Sequence, residues 1–287
     1  MADGADGPET GTLTVPGARL HYEVRGAGPL LLLLPGGNSD AAVFEGLATV
    51  LAAHYRVVSC DPRGNSRSRL DGPPVDQRIE IHADDAYRLL DHVGAADEPA
   101  QVFGSCAGAL VALELAVRHP DRVRSTVAHE PPAMELLPDA ERHRAFFDGV
   151  YETFRRAGAG AALRELSAIF GGRPAPELPE AHDNTAFFLA HTLRPSTRFR
   201  PDLTALAALA ERVVVAGGHD SRTHTVHRPA AVLAARLGQD LTEFPGGHVG
   251  YAKHPAAFAA RLVTALTALP ALPRTVQDPT PPTASAS

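Results

Sequence analysis

The feature that most constrains the fold of this chain is a pentapeptide with a glycine at each end, Gly104-Ser105-Cys106-Ala107-Gly108. Residues 99–103 before it are typical of a short buried strand. Residues 109–119 after it lack glycine and proline, which is typical of a helix. A strand and a helix this close in sequence need a tight turn, where glycines avoid steric clashes. The sequence therefore predicts a strand–turn–helix unit with Cys106 at its apex.

The position of Cys106 favours reactivity of its thiol. It precedes the helix, and the N-terminus of a helix stabilises a negative charge such as a thiolate. The pattern is that of a G-x-S-x-G nucleophile elbow with cysteine in place of serine. The alternative interpretation is a buried cysteine in an ordinary glycine turn.

Composition narrows the class of protein. The chain has 287 residues, 44% of them hydrophobic, and a net charge of −6, which suits one large α/β domain and argues against a nucleic-acid partner. Residues 1–6 lack the pattern of a signal peptide, and no stretch is apolar enough to span a membrane, so we expect a cytoplasmic protein. The second cysteine, Cys60, is expected to be a buried packing residue. The histidines lack metal-ligand spacing, so we expect no metal and no cofactor.

Alternating strands and helices predict a parallel, doubly wound α/β sheet that follows a hairpin over residues 12–25. The predicted strands are 30–34, 55–60, 99–103, 123–128, 212–216 and 240–244. The predicted helices are 44–53, 79–93, 109–119, 227–237 and 256–269.

The chain divides into four predicted regions. Residues 1–10 form a disordered N-terminus, residues 11–131 and 208–272 form the core, and residues 273–287 form a flexible tail. Residues 132–207 interrupt the alternation, are mainly helical and carry most of the phenylalanines. They are either an insertion with its own small core or a cap that supplies an apolar pocket. We favour the cap, with substrate-binding rings at Phe147, Phe154 and Phe188.

A thiol nucleophile needs a base, and the base needs an orienting acid. His248 lies in a glycine-rich loop directly after the last predicted strand, a suitable position for a base. Asp220 follows the preceding strand and is the preferred acid. Glu130 also lies at a strand end and is the alternative acid.

Over nearly its whole length the chain resembles the α/β-hydrolase fold family. The elbow, Asp61-Pro-Arg-Gly, Gly-Gly-His-Asp220-Ser and Pro-Gly-Gly-His248-Val-Gly-Tyr match that family in their expected order. The resemblance implies an α/β-hydrolase fold and a nucleophile–acid–histidine triad of Cys106, Asp220 and His248. Some members of the family place the acid after an earlier strand, where Glu130 stands here.

The resemblance also implies an oxyanion hole built from two backbone N–H groups. Ala107 follows the nucleophile and supplies one of them. Gly37 supplies the other, in a loop where the family's usual His-Gly-x reads Pro35-Gly36-Gly37-Asn38. Asn38 is a further candidate for substrate binding.

Cysteine as the nucleophile favours acyl transfer or hydrolysis of an activated ester, lactone or thioester through an S-acyl intermediate. The substrate is expected to be a small-molecule or carrier-bound acyl compound, and the protein a monomer or homodimer. Three alternatives remain open: a Dieckmann-type cyclase of natural-product biosynthesis, a non-hydrolytic lyase, and a ligand-binding member of the fold. Cys106 could also be an engineered replacement of serine.

Overall fold

A mostly parallel sheet forms the centre of the molecule in a computed structural model that describes residues 7–94, 98–174 and 178–269. Its strands, in chain order, are β1 (Glu9–Val15), β2 (Ala18–Arg25), β3 (Leu30–Leu34), β4 (Arg56–Cys60), β5 (Arg69–Leu70), β6 (Ala100–Ser105), β7 (Val123–His129), β8 (Val213–Gly218) and β9 (Thr242–Phe244). Across the sheet the order is β1-β2-β4-β3-β6-β7-β8-β9, and β5 pairs with β2. The pairs from β4 to β9 are parallel, and β2 pairs antiparallel with both β1 and β4.

Helices cover both faces of the sheet. They are α1 (Glu45–Leu51), α2 (Ile79–Val93), α3 (Ala107–Arg118), α4 (Ala140–Ala157), α5 (Ala159–Leu166), α6 (Thr185–Phe187), α7 (Leu193–Arg198), α8 (Leu203–Ala208), α9 (Arg228–Arg236), α10 (Gly250–Lys253) and α11 (Pro255–Thr267). A π-helical turn, Phe188–Thr192, joins α6 to α7.

The five leucines of β3 show how the sequence produces this layering. All five are buried, because parallel strands are covered on both faces. Leu30, Leu32 and Leu34 pack with α2 and α3 on one face, in a cluster that includes buried side chains of both helices. Leu31 and Leu33 pack with α1 and α11 on the other face. The uninterrupted apolar run is therefore the central strand that the sequence predicts.

The predicted α/β-hydrolase architecture is confirmed, with local differences. The prediction that residues 1–10 are disordered is wrong at its end, because β1 begins at Glu9 and pairs Glu9 with Val24 and Thr10 with Glu23. Residues 1–6 and the predicted tail, 273–287, lie outside the described residues.

The segment between β7 and β8 is helical and has an apolar core of its own. We call residues 132–207 the cap segment. Its core cluster includes Phe147, Val150, Leu166, Leu189 and Leu193. None of its described residues forms a strand.

Hydrogen bonds tie the cap segment to the loops beside the elbow. The Asp40 carboxylate accepts hydrogen bonds from the Ala181 N–H at 2.7 Å and from the Ser66 hydroxyl at 2.6 Å. The Asn184 Oδ1 atom accepts the Ser66 N–H at 2.7 Å. These contacts hold residues 181–184 close to the loop that follows β3.

Through the ranges that the structure describes, no helix has both the length and the apolar character needed to cross a lipid bilayer.

Candidate active site

Cys106 stands at the apex of the turn between β6 and α3. Its backbone has φ 55° and ψ −125°, in the left-handed region that disfavours non-glycine residues. The Cys106 N–H donates to the His129 carbonyl at 3.0 Å, and the Cys106 carbonyl accepts the Ala109 N–H at 2.9 Å. Strained backbone held in this way is common at functional sites.

The two glycines of the pentapeptide permit the turn. A methyl group on Gly104 would lie 2.2 Å from the Gly108 carbonyl oxygen, and one on Gly108 would lie 2.2 Å from the Leu34 carbonyl oxygen. Neither distance leaves room for a side chain. The predicted reason for both glycines, a close approach of strand and helix, is what the geometry shows.

His248 lies in the loop after β9 and contacts both Cys106 and Glu130. Its Nδ1 atom is 2.6 Å from Glu130 Oε2, and its ring lies close enough to the Cys106 sulfur for the two groups to interact electrostatically. Because Nδ1 is engaged by the carboxylate, Nε2 is the ring nitrogen that remains for the sulfur. Burial alone would lower the pKa of His248, but the Cys106 sulfur and the Glu130 carboxylate together raise it to about 10. A histidine with that pKa carries its second proton at neutral pH.

Glu130 is the carboxylate that orients His248. Its side chain is fully buried, and its backbone has a positive φ of 48°. Its Oε1 atom accepts the Gly218 N–H at 2.8 Å and the Ser221 hydroxyl. Burial would raise the pKa of Glu130, but the hydrogen bond and the positive charge of His248 hold it well below its usual value. Glu130 therefore stays ionised in a buried position.

The structure does not bring Asp220 to His248, so its assignment as the acid is corrected. Asp220 is exposed at the end of β8, in the 3₁₀ turn His219–Ser221, and its N–H donates to the Gly246 carbonyl at 3.0 Å. The turn points Ser221 inward instead, with 0% exposure. The alternative acid of the sequence, Glu130, occupies the expected contact, and Ser221 is a supporting residue that the sequence did not single out.

The loop after β3 lies beside Cys106, as expected of an oxyanion loop. A methyl group on Gly36 would lie 3.4 Å from the Cys106 Cβ atom, so Gly36 is close to that side chain. Gly37 and Asn38 form the corner of a turn closed by the Ser39 N–H on the Gly36 carbonyl at 3.1 Å. Asn65 Nδ2 donates to the Gly37 carbonyl at 3.1 Å and to the Ser39 carbonyl at 2.9 Å, which fixes the loop. Ala107 begins α3 and is buried.

Two phenylalanine rings of the cap segment lie beside this site, and one of them, Phe188, is among the three predicted rings. A methyl group on Gly37 would lie 3.1 Å from the Phe188 ring, so Phe188 packs directly on the loop after β3. The Phe170 ring lies 5.1 Å from the His248 ring, centroid to centroid, and was not singled out by the sequence. Phe147 is buried in the core of the cap segment, and Phe154 packs against that core. Phe147 is enclosed in the cap's own core, so its prediction as a substrate-binding ring is corrected, because a helical pattern does not distinguish a ring facing the site from one facing the cap's interior. The role of Phe154 in substrate binding stays a prediction.

Other motif residues have structural roles. The Arg63 guanidinium pairs with Asp85 through contacts of 2.6 and 2.7 Å. The Asp61 carboxylate accepts the Ala41 N–H at 3.0 Å and pairs with Arg67 at 2.8 Å. Cys60 is a free, buried cysteine of the core, as predicted.

Comparisons with known proteins agree with this geometry. A sequence profile of the α/β-hydrolase fold matches residues 29–169. An uncharacterized hydrolase, YraK of Bacillus subtilis, is 35% identical over 258 residues, which is 88% of this chain and 94% of YraK. The chain belongs to the α/β-hydrolase fold family.

Two further α/β-hydrolase comparisons extend over most of the chain. A zearalenone hydrolase of Bionectria ochroleuca is 26% identical over 261 residues, covering 88% of this chain and 96% of the relative. The structure of a thermophilic esterase from Thermogutta terrifontis superposes with a TM-score of 0.70 at 20% identity, covering 90% of this chain and 98% of the esterase. The family and its hydrolase relatives support an enzyme that acts by hydrolysis.

Proposed function

We propose that this α/β-hydrolase hydrolyses an activated ester, lactone or thioester through an S-acyl intermediate on Cys106. The observation that carries the proposal is the chain of contacts from Cys106 to His248 to the buried Glu130 carboxylate. An ionised acid, an oriented imidazole and a thiol at a helix N-terminus are the parts of a nucleophilic triad.

The acylation half-reaction starts from a Cys106 thiolate and a His248 imidazolium. The sulfur attacks the carbonyl carbon, a C–S bond forms, and the carbonyl π electrons move to oxygen. We assign the N–H groups of Gly37 and Ala107 to that oxyanion, since such donors contribute roughly 3–4 kcal/mol to barrier lowering. The oxyanion then collapses and the bond to the leaving group breaks. The His248 Nε2 proton transfers to the departing oxygen or sulfur, leaving His248 neutral.

The deacylation half-reaction returns the enzyme to its starting state. Neutral His248 takes a proton from water as the water oxygen attacks the S-acyl carbon. The new tetrahedral intermediate expels the Cys106 sulfur as a thiolate, and the acid product leaves. Glu130 stays ionised throughout and stabilises the imidazolium that forms in each catalytic cycle.

Cysteine limits the substrates that suit this mechanism. A thiolate is a better leaving group than an alkoxide, so the tetrahedral adduct of an ordinary alkyl ester tends to revert. Thioesters, enol esters and lactones with stabilised leaving groups revert less. The zearalenone hydrolase relative adds zearalenone itself to the compounds that should be tested.

Mass spectrometry of the intact protein tests the covalent step. The protein is mixed with short acyl thioesters, p-nitrophenyl esters and zearalenone, and Cys106→Ala is treated in parallel. We expect an acyl mass increment on the parent protein, none on Cys106→Ala, and release of free acid as the increment decays. Turnover that survives in Cys106→Ala would overturn the nucleophile assignment.

A Cys106→Ser variant separates the leaving-group argument from the rest of the mechanism. It keeps a nucleophile at the apex but replaces the sulfur by oxygen. We expect the ratio of thioester to alkyl ester hydrolysis to fall in this variant. An unchanged ratio would count against the preference for activated substrates.

A further inference from the structure

A cavity lies beside the elbow, on the side of the sheet covered by α2 and α3. The empty space between its lining residues, including solvent at its open mouth, is about 610 Å³. Gly36, Gly37 and Ala107 form one wall. The cavity therefore begins at the residues assigned to the oxyanion hole and extends away from them.

Most of the cavity wall is apolar. Leu20, Leu34, Ile79, Ala86 and Val111 all line it. These five residues come from β2, β3, α2 and α3, whereas Gly36, Gly37, Arg63 and Gln77 line the cavity from loops. Such a surface favours an apolar occupant.

Two residues that line the cavity each carry a buried polar atom with no hydrogen-bond partner among the described residues. Gln77 is 3% exposed, and its Oε1 atom is unsatisfied. The Gln77 Nε2 atom donates to the Val75 carbonyl at 2.6 Å, which fixes the amide so that Oε1 is the free acceptor. The Nε2 atom of His82 is the second unsatisfied atom. An unsatisfied buried polar atom costs free energy, so both atoms would be stabilised by a hydrogen bond from an occupant of the cavity.

The charges that border the cavity are already neutralised within the protein. Arg63 is paired with Asp85 through two contacts, and Asp61 is paired with Arg67. Burial lowers the pKa of His82 to about 3, so this ring is neutral at physiological pH. The cavity therefore offers hydrogen bonds but no free charge.

We propose that this cavity is a substrate subsite for an uncharged apolar group that carries a hydroxyl. The hydroxyl donates to Gln77 Oε1 and contacts His82 Nε2, while the apolar part lies against Leu20, Ile79 and Val111. The identity of the occupant as part of a substrate rests on the proposed function. The chemistry of the occupant rests on the cavity alone.

Direct binding of small probes tests the subsite without any turnover. Calorimetry is carried out on Cys106→Ala with 4-ethylphenol and with 4-ethyltoluene, in which a methyl group replaces the hydroxyl. We expect 4-ethylphenol to bind more tightly than 4-ethyltoluene. We express this preference as the dissociation constant of 4-ethyltoluene divided by that of 4-ethylphenol. Adding Gln77→Leu should reduce that ratio roughly two- to tenfold, the worth of one neutral hydrogen bond.

Gln101→Leu is the matched control. Gln101 is also buried and also has an unsatisfied Oε1 atom, but it does not line the cavity. This variant should leave the ratio unchanged. Thermal unfolding of each variant shows whether it is folded.

Ala86→Leu fills the cavity and provides a second measurement if Gln77→Leu does not fold. It should weaken the binding of both probes at least tenfold. The subsite is overturned if 4-ethylphenol does not bind the parent, if it binds Ala86→Leu equally well, or if Gln77→Leu leaves the ratio unchanged. None of these results depends on Cys106 chemistry, so failure of the subsite and failure of the proposed function are distinguishable.

Discussion

Two carboxylates follow neighbouring parallel strands, yet only one of them contacts His248. Glu130 follows β7 directly, and Asp220 follows β8 after His219. Glu130 has a positive φ of 48° and a fully buried side chain in contact with His248. Asp220 lies in a 3₁₀ turn and is exposed.

The difference shows that the β8 loop acts as support for the β7 carboxylate. The Gly218 N–H and the Ser221 hydroxyl, both in or next to that loop, donate to Glu130 Oε1. The sequence predicts that the loop after β8 provides the acid, Asp220. In the structure that loop instead provides hydrogen-bond donors to Glu130. Position after a strand therefore does not determine which carboxylate is functional, because the backbone conformation decides the direction of the side chain.

The largest effect is expected from exchanging each carboxylate for its amide. Glu130→Gln removes the negative charge that stabilises the His248 imidazolium, so kcat/KM on an activated ester should fall on the order of 10³–10⁴-fold. Asp220→Asn should change kcat/KM less than twofold. Steady-state kinetics on both variants checks the assignment, and a large loss in Asp220→Asn with a small one in Glu130→Gln would reverse it.

The pH profile of kcat/KM sharpens the same comparison. The Cys106 sulfur and the Glu130 carboxylate both favour the protonated form of His248 and raise its pKa to about 10. The parent should therefore keep activity through neutral pH and lose it on the alkaline side near pH 10. Removing the carboxylate lowers the pKa of His248, so the alkaline limb of Glu130→Gln should move towards neutral pH. Asp220→Asn should keep the parent's profile, and a shift in that variant would contradict the assignment.

Ser221 gives a smaller effect, because it acts through Glu130. Ser221→Ala removes one of the two donors on Oε1 and should lower kcat/KM about tenfold, the worth of one hydrogen bond to a charged group. Ser221→Thr keeps the hydroxyl and should restore most of the activity. A role in packing alone predicts no rescue by threonine and no change in the pH profile, so these two readouts test the positioning role.

Stability should show the smallest difference between the two carboxylates. The folded pKa of His248 is above its ordinary value near 6.5. Its contribution is therefore fully present below about pH 6.5 and lost as pH rises through about 10. Glu130→Gln should lower the free energy of unfolding at pH 6.5 by about 1.5–3 kcal/mol, the worth of a hydrogen bond between charged groups. Urea unfolding at several pH values checks this, with Asp220→Asn expected to match the parent.

The positions of Cys106 at the apex of a turn and of His248 in a loop could be predicted from sequence because each has a local signature. Cys106 lies between glycines whose spacing alone requires a tight turn, and His248 lies in a glycine-rich loop after a strand. The central strand could also be predicted, because a run of five consecutive leucines is typical of a strand that is buried on both faces.

The acid could not be decided from sequence because the choice depends on two distant backbones. The positive φ of Glu130 and the inward turn of Ser221 involve residues about ninety positions apart, and neither leaves a local pattern. The choice of cap rings that face the site could not be made from sequence for a similar reason. Phe188 and Phe170 reach the site, whereas Phe147 faces the cap's own core, and only tertiary packing separates them.

The division of the site along the chain has a consequence for biosynthesis. Cys106 and Glu130 both precede the cap segment, whereas His248 follows the last strand of the sheet. A ribosome therefore completes the thiol and the carboxylate long before it makes the imidazole that joins them. Until β9 takes its place, the nascent chain carries a cysteine without its base and a glutamate without its counter-ion. Reactivity should accordingly arise only after His248 has been made and β9 has joined the sheet.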